Sequence, residues 1–172
     1  FIFTGGGVLS RHYRDAGAEV TGHALKNEDL DWIGIHTTRL NAHLFRTIFR
    51  YIAHPYIVKN YDIIRKATEP VVVAAGWKPG WSTDYDAVIL AQDYNIKKII
   101  KMSNSDHVYD KDPKKFKDAK PFKHISWRDY RAIVGEKWVP GASTPFDPIA
   151  AKLASELNIR VFYLDGKDIE NT

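Results

Sequence analysis

The chain has 172 residues, 44% of them hydrophobic and 27% charged, which is typical of one globular domain and excludes disordered and fibrous classes. It contains no cysteine, so disulfide frameworks and thiolate metal sites are excluded, and we expect a protein of the reducing cytoplasm. The net charge of +4 suits an anionic ligand without requiring one, and no apolar run approaches the length of a membrane span.

The first half of the chain is expected to hold two strands and two helices. The first strand ends at Thr4, and a short helix over about residues 9–16 follows it. After a polar loop at 22–29, apolar residues spaced four apart predict a long helix that ends at His54-Pro55. The continuous apolar run at 71–75 is typical of a strand buried on both faces. The apolar row of the long helix comprises Leu40, Leu44, Ile48 and Ile52.

The second half continues the alternation of strands and helices. Its helix starts are marked by residues whose side chains accept hydrogen bonds from the N–H groups of a first turn. These N-cap candidates are Ser82 or Thr83, Ser126 within a capping box, and Asp147 followed by Pro148. Strands are expected at 98–102 and 160–164, and irregular loops at 103–124 and 141–146. The alternation predicts an α/β fold with a mainly parallel sheet.

Three stretches share one design, in which a strand ends, a loop of small or capping residues follows, and a helix begins. They are residues 5–11, 76–84 and 141–147. A fourth loop, at 103–113, also leaves the carboxyl end of a strand. In open α/β sheets ligands bind beyond the carboxyl ends of the strands, so we expect the functional site among these loops.

The first loop contains the consecutive glycines Gly5, Gly6 and Gly7, and Arg11 follows in the predicted helix. A glycine backbone can take a positive φ and lets an anion approach several N–H groups, while Arg11 offers two donors to a phosphate. A tight strand-to-helix turn explains the glycines equally well, so both interpretations stay open on these residues alone. The pattern is neither a P-loop nor the spaced glycines of a dinucleotide fold.

Two carboxylates, Asp84 and Asp147, lie at or near predicted helix starts. Carboxylates there commonly cap a helix and need no catalytic role, and spacing alone favours this interpretation. Near a phosphate site, such a group can instead position Mg²⁺ or orient a catalytic lysine. The residues by themselves leave both roles open.

Two further patterns are explained without a site. Residues 111–117 are basic and include Phe116, but acidic residues interrupt the run, which favours a solvated loop over a nucleic-acid surface. The seven histidines lack the spacing of a metal site on one helix face, so no zinc site is expected. We therefore expect neither a nucleic-acid nor a membrane partner.

Five motifs, in order, cover the chain from residue 5 to about residue 165. They are residues 5–11 against Gly-Gly-Gly-x-x-Ala-Arg, 31–42 against Ile-Gly-x-x-x-Thr-Arg-x-Asn-Ala, 79–84 against Pro-Gly-x-Thr-Thr-Asp, 103–113 against Thr-Asn-Val-Asp-Gly-Val-Tyr-x-x-Asp-Pro, and 147–152 against Asp-Pro-Leu-Ala-Ala-Lys. In these motifs the chain resembles the UMP kinases of archaeal and bacterial type, within the amino-acid kinase superfamily.

The resemblance implies a three-layer αβα sandwich around a mainly parallel sheet, usually assembled as a hexamer. It implies transfer of the γ-phosphoryl group of ATP to UMP, with Mg²⁺ held mainly through the ATP phosphates and no metal ligand from the protein. It also implies one domain over residues 1–172, with an acceptor-binding part at about 1–70 and an ATP-binding part at about 71–172.

Site residues are carried over from the family motifs position by position. The UMP-binding set is Gly5, Gly6, Gly7, Arg11, Asp31, Ser82, Thr83 and Asp84. The ATP-binding set is Ser103, Asn104, Asp106, Tyr109 and Asp112. The resemblance gives catalytic roles to Arg11, on the acceptor phosphate, and to Asp147, which would orient the catalytic lysine.

The chain also departs from the family pattern. It begins at the family's second strand, without the lysine and Gly-Gly-Ser turn at the ATP phosphates, and we expect its own activity to depend on those residues. Because the chain starts within an apolar strand and residues 166–172 stop just after a strand, we expect both ends to be truncated relative to a natural product. His107 stands where the family has glycine, and we expect it to strain or reshape that turn. Trp77, Lys78 and Trp81 are bulkier than the family's usual residues, which bears on the identity of the acceptor.

Two alternatives to a UMP kinase stay open from the sequence. One is a non-catalytic nucleotide- or oxyanion-binding relative that keeps the sheet and loops. The other is a kinase of the same superfamily with a carboxylate or carbamate acceptor.

Overall fold

The structure is a computed structural model, and it describes residues 1–137 and 144–168. In chain order the described elements are β1 (Ile2–Phe3), α1 (Gly7–Thr21), α2 (Asn27–Ile48), β2 (Val73–Ala74), α3 (Thr83–Asp93), β3 (Lys98–Ser103), β4 (Val108–Tyr109), β5 (Pro121–Phe122), α4 (Trp127–Val134), α5 (Pro148–Glu156) and β6 (Arg160–Asp165). The chain forms two compact units, Phe1–Leu90 and Ala91–Thr172.

The first unit is built on a parallel pairing of β1 with β2. Ile2 lies opposite Val73 and Phe3 opposite Ala74, and the N–H of Thr4 donates to the carbonyl of Ala74 at 3.1 Å. Residues 72–75 are buried, as predicted for this apolar run, but the strand itself covers only Val73–Ala74.

Helix α1 is longer than the sequence indicated at both ends. It begins at Gly7, inside the glycine run, and continues to Thr21 instead of covering residues 9–16. Gly22 then takes a left-handed conformation with φ of 68°, and its N–H donates to carbonyls of the last turn. Glycine commonly ends a helix in this geometry. The last turns of α1 are polar, so no apolar period predicted that the helix extends this far.

Helix α2 buries a face of small and polar side chains. Its buried residues are Ile35, Thr37, Thr38 and Ala42. Ala42 is fully buried and packs in a cluster with Val73 and Ala75. Small residues let the helix lie close to β2, which places its polar groups against the loops at the strand ends.

The apolar row from which α2 was predicted lies on an exposed side of the helix. Leu40, Leu44 and Ile48 are 57%, 59% and 62% exposed. The helix also ends at Ile48, before the predicted stop at His54-Pro55. An exposed apolar stripe of this kind marks an interaction surface more often than a defect.

The second unit is built on the parallel pairing of β3 with β6. The register runs from Lys98 opposite Arg160 to Ser103 opposite Asp165. Both strands were predicted. The stretch at 103–124, which lacked a periodic pattern, contains β4 and β5 as an antiparallel pair of two residues each, too short to leave a sequence signal.

The predicted helix caps of this unit are confirmed. Ser126 Oγ accepts from the N–H of Asp129 at 3.1 Å at the start of α4. Asp147 Oδ1 accepts from the N–H of Ala150 at 2.7 Å at the start of α5, where Pro148 occupies the first turn.

A buried tyrosine holds the chain where it enters α5. The Tyr130 hydroxyl donates to the carbonyl of Phe146 at 2.6 Å and accepts from the N–H of the same residue at 2.7 Å. Tyr130 is 3% exposed, and its ring lies edge-on to Trp127 with centroids 5.9 Å apart. One hydroxyl therefore satisfies both backbone groups of the residue that precedes Asp147.

Replacing Tyr130 by Phe keeps the ring and leaves a buried N–H and C=O without this partner. We expect Tyr130→Phe to lower the free energy of unfolding by about 1–3 kcal/mol, measured by urea denaturation. Tyr51 is 96% exposed, so the control Tyr51→Phe should change stability by less than about 0.5 kcal/mol. Equal stability of the two variants would contradict the role given to the hydroxyl.

Candidate functional site

The glycine turn between β1 and α1 needs glycine at two of its three positions. A Cβ on Gly6 would lie 2.7 Å from Ser10 Cβ and 2.7 Å from Thr37 Oγ1, closer than real side chains approach. Gly7 has a φ of 58°, a left-handed conformation that favours glycine. A Cβ on Gly5 would meet nothing within 4 Å. Space for a ligand therefore lies beside Gly5, while Gly6 packs α1 against α2.

The turn is fixed to α2 by side-chain hydrogen bonds. Asn41 Nδ2 donates to the carbonyl of Gly5 at 2.7 Å, and Thr4 Oγ1 donates to the carbonyl of Thr38 at 2.9 Å. The bond from Asn41 uses a carbonyl of the turn and none of its N–H groups.

The first turn of α1 has the features of an anion site. Gly6 at the N-cap provides no side-chain hydrogen bond, and the first turn contains no acidic residue. Helix N–H groups and the helix dipole therefore keep their positive potential at this end. Arg11 lies in the same helix and is exposed, as the sequence-based hypothesis requires.

A second loop, residues 76–81, is called the Trp loop here because it contains Trp77 and Trp81. Three side chains of α2 hold its backbone. The N–H of Gly76 donates to Thr38 Oγ1 at 2.8 Å, and Arg39 donates to the carbonyls of Gly76 and Trp77 at 3.2 and 2.8 Å. The N–H of Gly80 donates to Asp31 Oδ2 at 2.8 Å.

Asp31, predicted to contact the acceptor, thus has a structural partner as well. Its contact with Gly80 links the start of α2 to the loop that precedes α3. Ser82 caps α3 by accepting from the N–H of Tyr85 at 3.1 Å, and Thr83 and Asp84 are the first residues of that helix. The predicted UMP-binding residues therefore all lie in the first unit, around α2 and the two loops that it holds.

Aromatic rings fill the Trp loop. Trp77 and Trp81 lie edge-on with centroids 4.9 Å apart, and Trp81 meets Tyr85 edge-on at 4.6 Å. Lys78 Nζ lies 3.9 Å from the centroid of Trp77 and 4.6 Å from that of Trp81, so its cation faces both indoles. The bulky residues that depart from the family pattern pack on one another.

A buried carboxylate, Asp86, lies under this loop. It is fully buried, and its Oδ2 accepts from the N–H of Trp77 at 3.2 Å. Burial raises the pKa of Asp86 to about 7, against the opposing effects of the Trp77 hydrogen bond and of the charges of Arg39 and Lys78. Asp86 was not among the predicted site residues, and its one signal in the sequence was a charged side chain among the apolar residues of α3.

The predicted ATP-binding residues lie in the second unit, at and after the end of β3. Ser103 Oγ accepts from the Tyr163 hydroxyl at 2.7 Å, which ties it to β6. Asp106 Oδ1 accepts from the Tyr109 hydroxyl at 2.9 Å, and Asp106 Oδ2 lies 3.1 Å from His107 Nδ1. Hydrogen bonds from His107 and Tyr109 hold the pKa of Asp106 below its usual range.

The remaining residues of this set lie nearby in the chain. Asn104 is exposed in the turn after β3, and Asp112 Oδ1 accepts from the N–H of Lys114 at 2.9 Å. His107 does not take a positive φ. The prediction of backbone strain at this position, where the family has glycine, is therefore wrong. The backbone here has a conformation open to any residue.

Asp147 is 3% exposed at the N-cap of α5, and it therefore performs the capping role that spacing alone favoured. The predicted loop at 141–147 lies partly outside the described residues. Within residues 1–137 and 144–168, no group of three or more His, Asp or Glu side chains could hold a metal ion. No helix in the same ranges is long and apolar enough to cross a membrane.

The two glycines Gly5 and Gly6 offer a matched pair of substitutions. We expect Gly6→Ala to lower the free energy of unfolding by about 1–3 kcal/mol, because the new methyl group would overlap Ser10 and Thr37. Gly5→Ala should change stability by less than about 1 kcal/mol, because its Cβ points into open space. Thermal and urea unfolding of both variants tests this, and a destabilisation by Gly5→Ala as large as that by Gly6→Ala would contradict the assignment.

Known proteins match the chain over nearly its whole length. The model of the amino acid kinase family matches residues 1–164. The uridylate kinase of Methanococcoides burtonii is 34% identical over 170 residues, which are 97% of this chain and 71% of that protein. The uridylate kinase of Staphylothermus marinus is 35% identical, over 93% of this chain and 71% of that protein.

Solved structures agree with the sequence matches. The uridylate kinase of Archaeoglobus fulgidus superposes with a TM-score of 0.79 at 29% identity, covering 96% of this chain and 75% of that one. The UMP kinase of Bacillus anthracis has a TM-score of 0.71 at 21% identity, over 96% of this chain and 70% of that one, which bears on the fold alone. The predicted α/β fold is confirmed. The chain belongs to the amino acid kinase family and, within it, to the uridylate kinases.

Proposed function

We propose that the protein transfers the γ-phosphoryl group of ATP to UMP and yields UDP for pyrimidine nucleotide biosynthesis. The observation that carries the proposal is the uncapped first turn of α1 beside Gly5, where N–H groups and the helix dipole can receive a phosphate. The uridylate kinase relatives support UMP as the molecule that brings this phosphate.

The acceptor side of the mechanism follows from the first unit. Phosphoryl transfer needs positioning and neutralisation of charge more than covalent chemistry. Gly5, Gly6 and Gly7 bring backbone N–H groups to the phosphate without a side chain in its path, and Arg11 adds a charged two-donor contact. Ser82, Thr83 and Asp84 are proposed to line the path of the nucleoside, and Asp31 to contact it from the start of α2.

The nucleotide donor is assigned to the second unit. Ser103, Asn104, Asp106, Tyr109 and Asp112 are proposed to frame ATP. In the proposal, Mg²⁺ is held mainly through the ATP phosphates. Asp147 is proposed to orient the lysine that the family uses in catalysis. The cytoplasmic location stays a prediction from the sequence.

Self-association, as a hexamer, is part of the proposal. The exposed apolar stripe of α2 supports it, because Leu44 and Ile48 show about 60% of their surface in a single copy. Closed symmetric assembly of identical chains is the usual way to cover such a stripe.

The reaction is tested by ADP release from Mg·ATP with UMP, CMP, dUMP, acetate and carbamate offered separately, together with calorimetry of UMP binding. We expect turnover with UMP, and little with the small acceptors, from protein that carries the family's lysine and Gly-Gly-Ser turn ahead of this chain. Turnover with acetate or carbamate would overturn the assignment of the acceptor. Binding of UMP without any turnover by that longer protein would identify a binding relative and contradict the transfer step.

The role of Arg11 is tested through binding. We expect Arg11→Ala to weaken UMP binding by about 1.5–3 kcal/mol, roughly 10- to 150-fold, because a charge-assisted contact to the phosphate is lost. Arg50 is also exposed but lies after the end of α2, so Arg50→Ala is the control with unchanged affinity. Unchanged UMP affinity in Arg11→Ala would remove Arg11 from the site.

The role of Asp147 is tested by separating turnover from stability. Asn caps a helix about as well as Asp, so Asp147→Asn should keep the fold while kcat falls about 100-fold or more and the Kd for UMP changes little. The cap variant Ser126→Ala should lose about 0.5–2 kcal/mol of stability at unchanged kcat. If Asp147→Asn instead loses stability and keeps kcat, Asp147 is a cap alone.

A further inference from the structure

The Trp loop is held by hydrogen bonds from α2 and α3, and the ring of Tyr61 packs edge-on against Trp77 with centroids 5.8 Å apart. From α2, Arg39 donates to the carbonyls of Gly76 and Trp77, and Thr38 accepts from the N–H of Gly76. From α3, Asp86 accepts from the N–H of Trp77 at 3.2 Å. The side chain of Asp86 thus joins α3 to the start of this loop by a hydrogen bond.

This hydrogen bond gives a partner to only one of the two carboxyl oxygens of Asp86. Asp86 is fully buried, and its Oδ1 has no hydrogen-bond partner among the described residues. An ionised carboxylate in such a place is costly unless both oxygens are paired. Two changes relieve the cost: Asp86 takes up a proton, or the loop lifts and admits water.

The charged groups around Asp86 compensate its charge in part. Arg39 faces it from α2 and Lys78 from the loop, and both favour the ionised form. Arg39 directs the hydrogen bonds described above to backbone carbonyls, and burial lowers its pKa against the opposing effects of Asp86 and Tyr61. The ammonium group of Lys78 lies over the Trp77 and Trp81 rings.

We infer that Asp86 is a positioning residue for the acceptor side, whose proton holds the Trp loop closed on α3, and that UMP affinity follows the closure of this loop. The inference rests on the proposed function, because the loop leads directly into Ser82 and Thr83. The proton on Asp86 removes the buried charge while Oδ2 keeps the N–H of Trp77.

The direction of the pH effect follows from linkage. With the loop closed, burial raises the pKa of Asp86 to about 7, and with the loop lifted the hydrated carboxyl returns to its usual pKa near 3.9. The closed loop is therefore favoured most below about pH 4. This advantage is lost as the pH rises to about 7, and it changes little above that.

The two indoles of the loop report its position without any ligand. Trp77 packs edge-on against Tyr61 and Trp81 against Tyr85, both outside the loop, so lifting the loop exposes the indoles to water. We expect the tryptophan emission of the full chain to shift to longer wavelength between pH 4.5 and 7 and then to level off. No change of emission between pH 4.5 and 8 would overturn the inference without any variant.

Two variants on α3 identify the responsible group. Asp86→Asn keeps an acceptor for Trp77 and cannot ionise, so its emission should stay at the short-wavelength position across the range. Asp93 lies at the other end of the helix, and burial raises its pKa as well, so Asp93→Asn is the matched control that should titrate like the unchanged chain. Titration of Asp86→Asn like the unchanged chain would overturn the inference.

The second readout is the Kd for UMP at pH 5 and pH 7.5. The phosphate of UMP titrates in every sample, so the informative quantity is the ratio of the Kd of the unchanged chain to that of Asp86→Asn. We expect this ratio to rise at least about threefold, and at most about 70-fold, from pH 5 to pH 7.5. A constant ratio, with UMP bound, would overturn the inference and leave the proposed function standing. If the tryptophan emission changes with the titration of Asp86 but UMP does not bind, the proposed function is contradicted. The role of Asp86 in closing the Trp loop then still stands.

Discussion

The first unit depends on Thr38, a buried residue of α2 that joins the ends of two neighbouring strands. Its carbonyl accepts from Thr4 Oγ1 at the end of β1, and its Oγ1 accepts from the N–H of Gly76 after β2. The same hydroxyl donates to the carbonyl of Ile35 at 2.7 Å, so it both donates and accepts a hydrogen bond inside the fold. Both loops of the proposed acceptor site are therefore positioned by the same turn of one helix.

This arrangement explains why α2 buries polar residues and exposes apolar ones. The two strand ends beside it present backbone groups that need partners, and Thr38, Arg39 and Asn41 supply them. Ala42 lets the helix approach closely enough for these short side chains to reach. The apolar residues Leu44 and Ile48 are left on the opposite side, where the proposed self-association would cover them.

Features set by local chemistry could be read from the sequence. The caps at Ser82, Ser126 and Asp147 involve residues three positions apart, and the motifs located both loops. Contacts between distant residues could not be read, because no pattern along the chain encodes them. Arg39 meets the Trp loop across 38 positions, and Tyr130 reaches Phe146 across 16. The extent of α1 was missed for another reason, since Gly7 starts the helix inside a run that by itself indicates a turn.

The central proposal is that the glycine turn and the Trp loop form one acceptor site held by α2. The most direct measurement is a titration of UMP into ¹⁵N-labelled protein in which the backbone amide signals are recorded. We expect the largest shifts at Gly5, Gly6, Gly7 and Val8, with smaller shifts over residues 76–84. Shifts confined to the second unit, with the amides of the glycine turn unmoved, would contradict it.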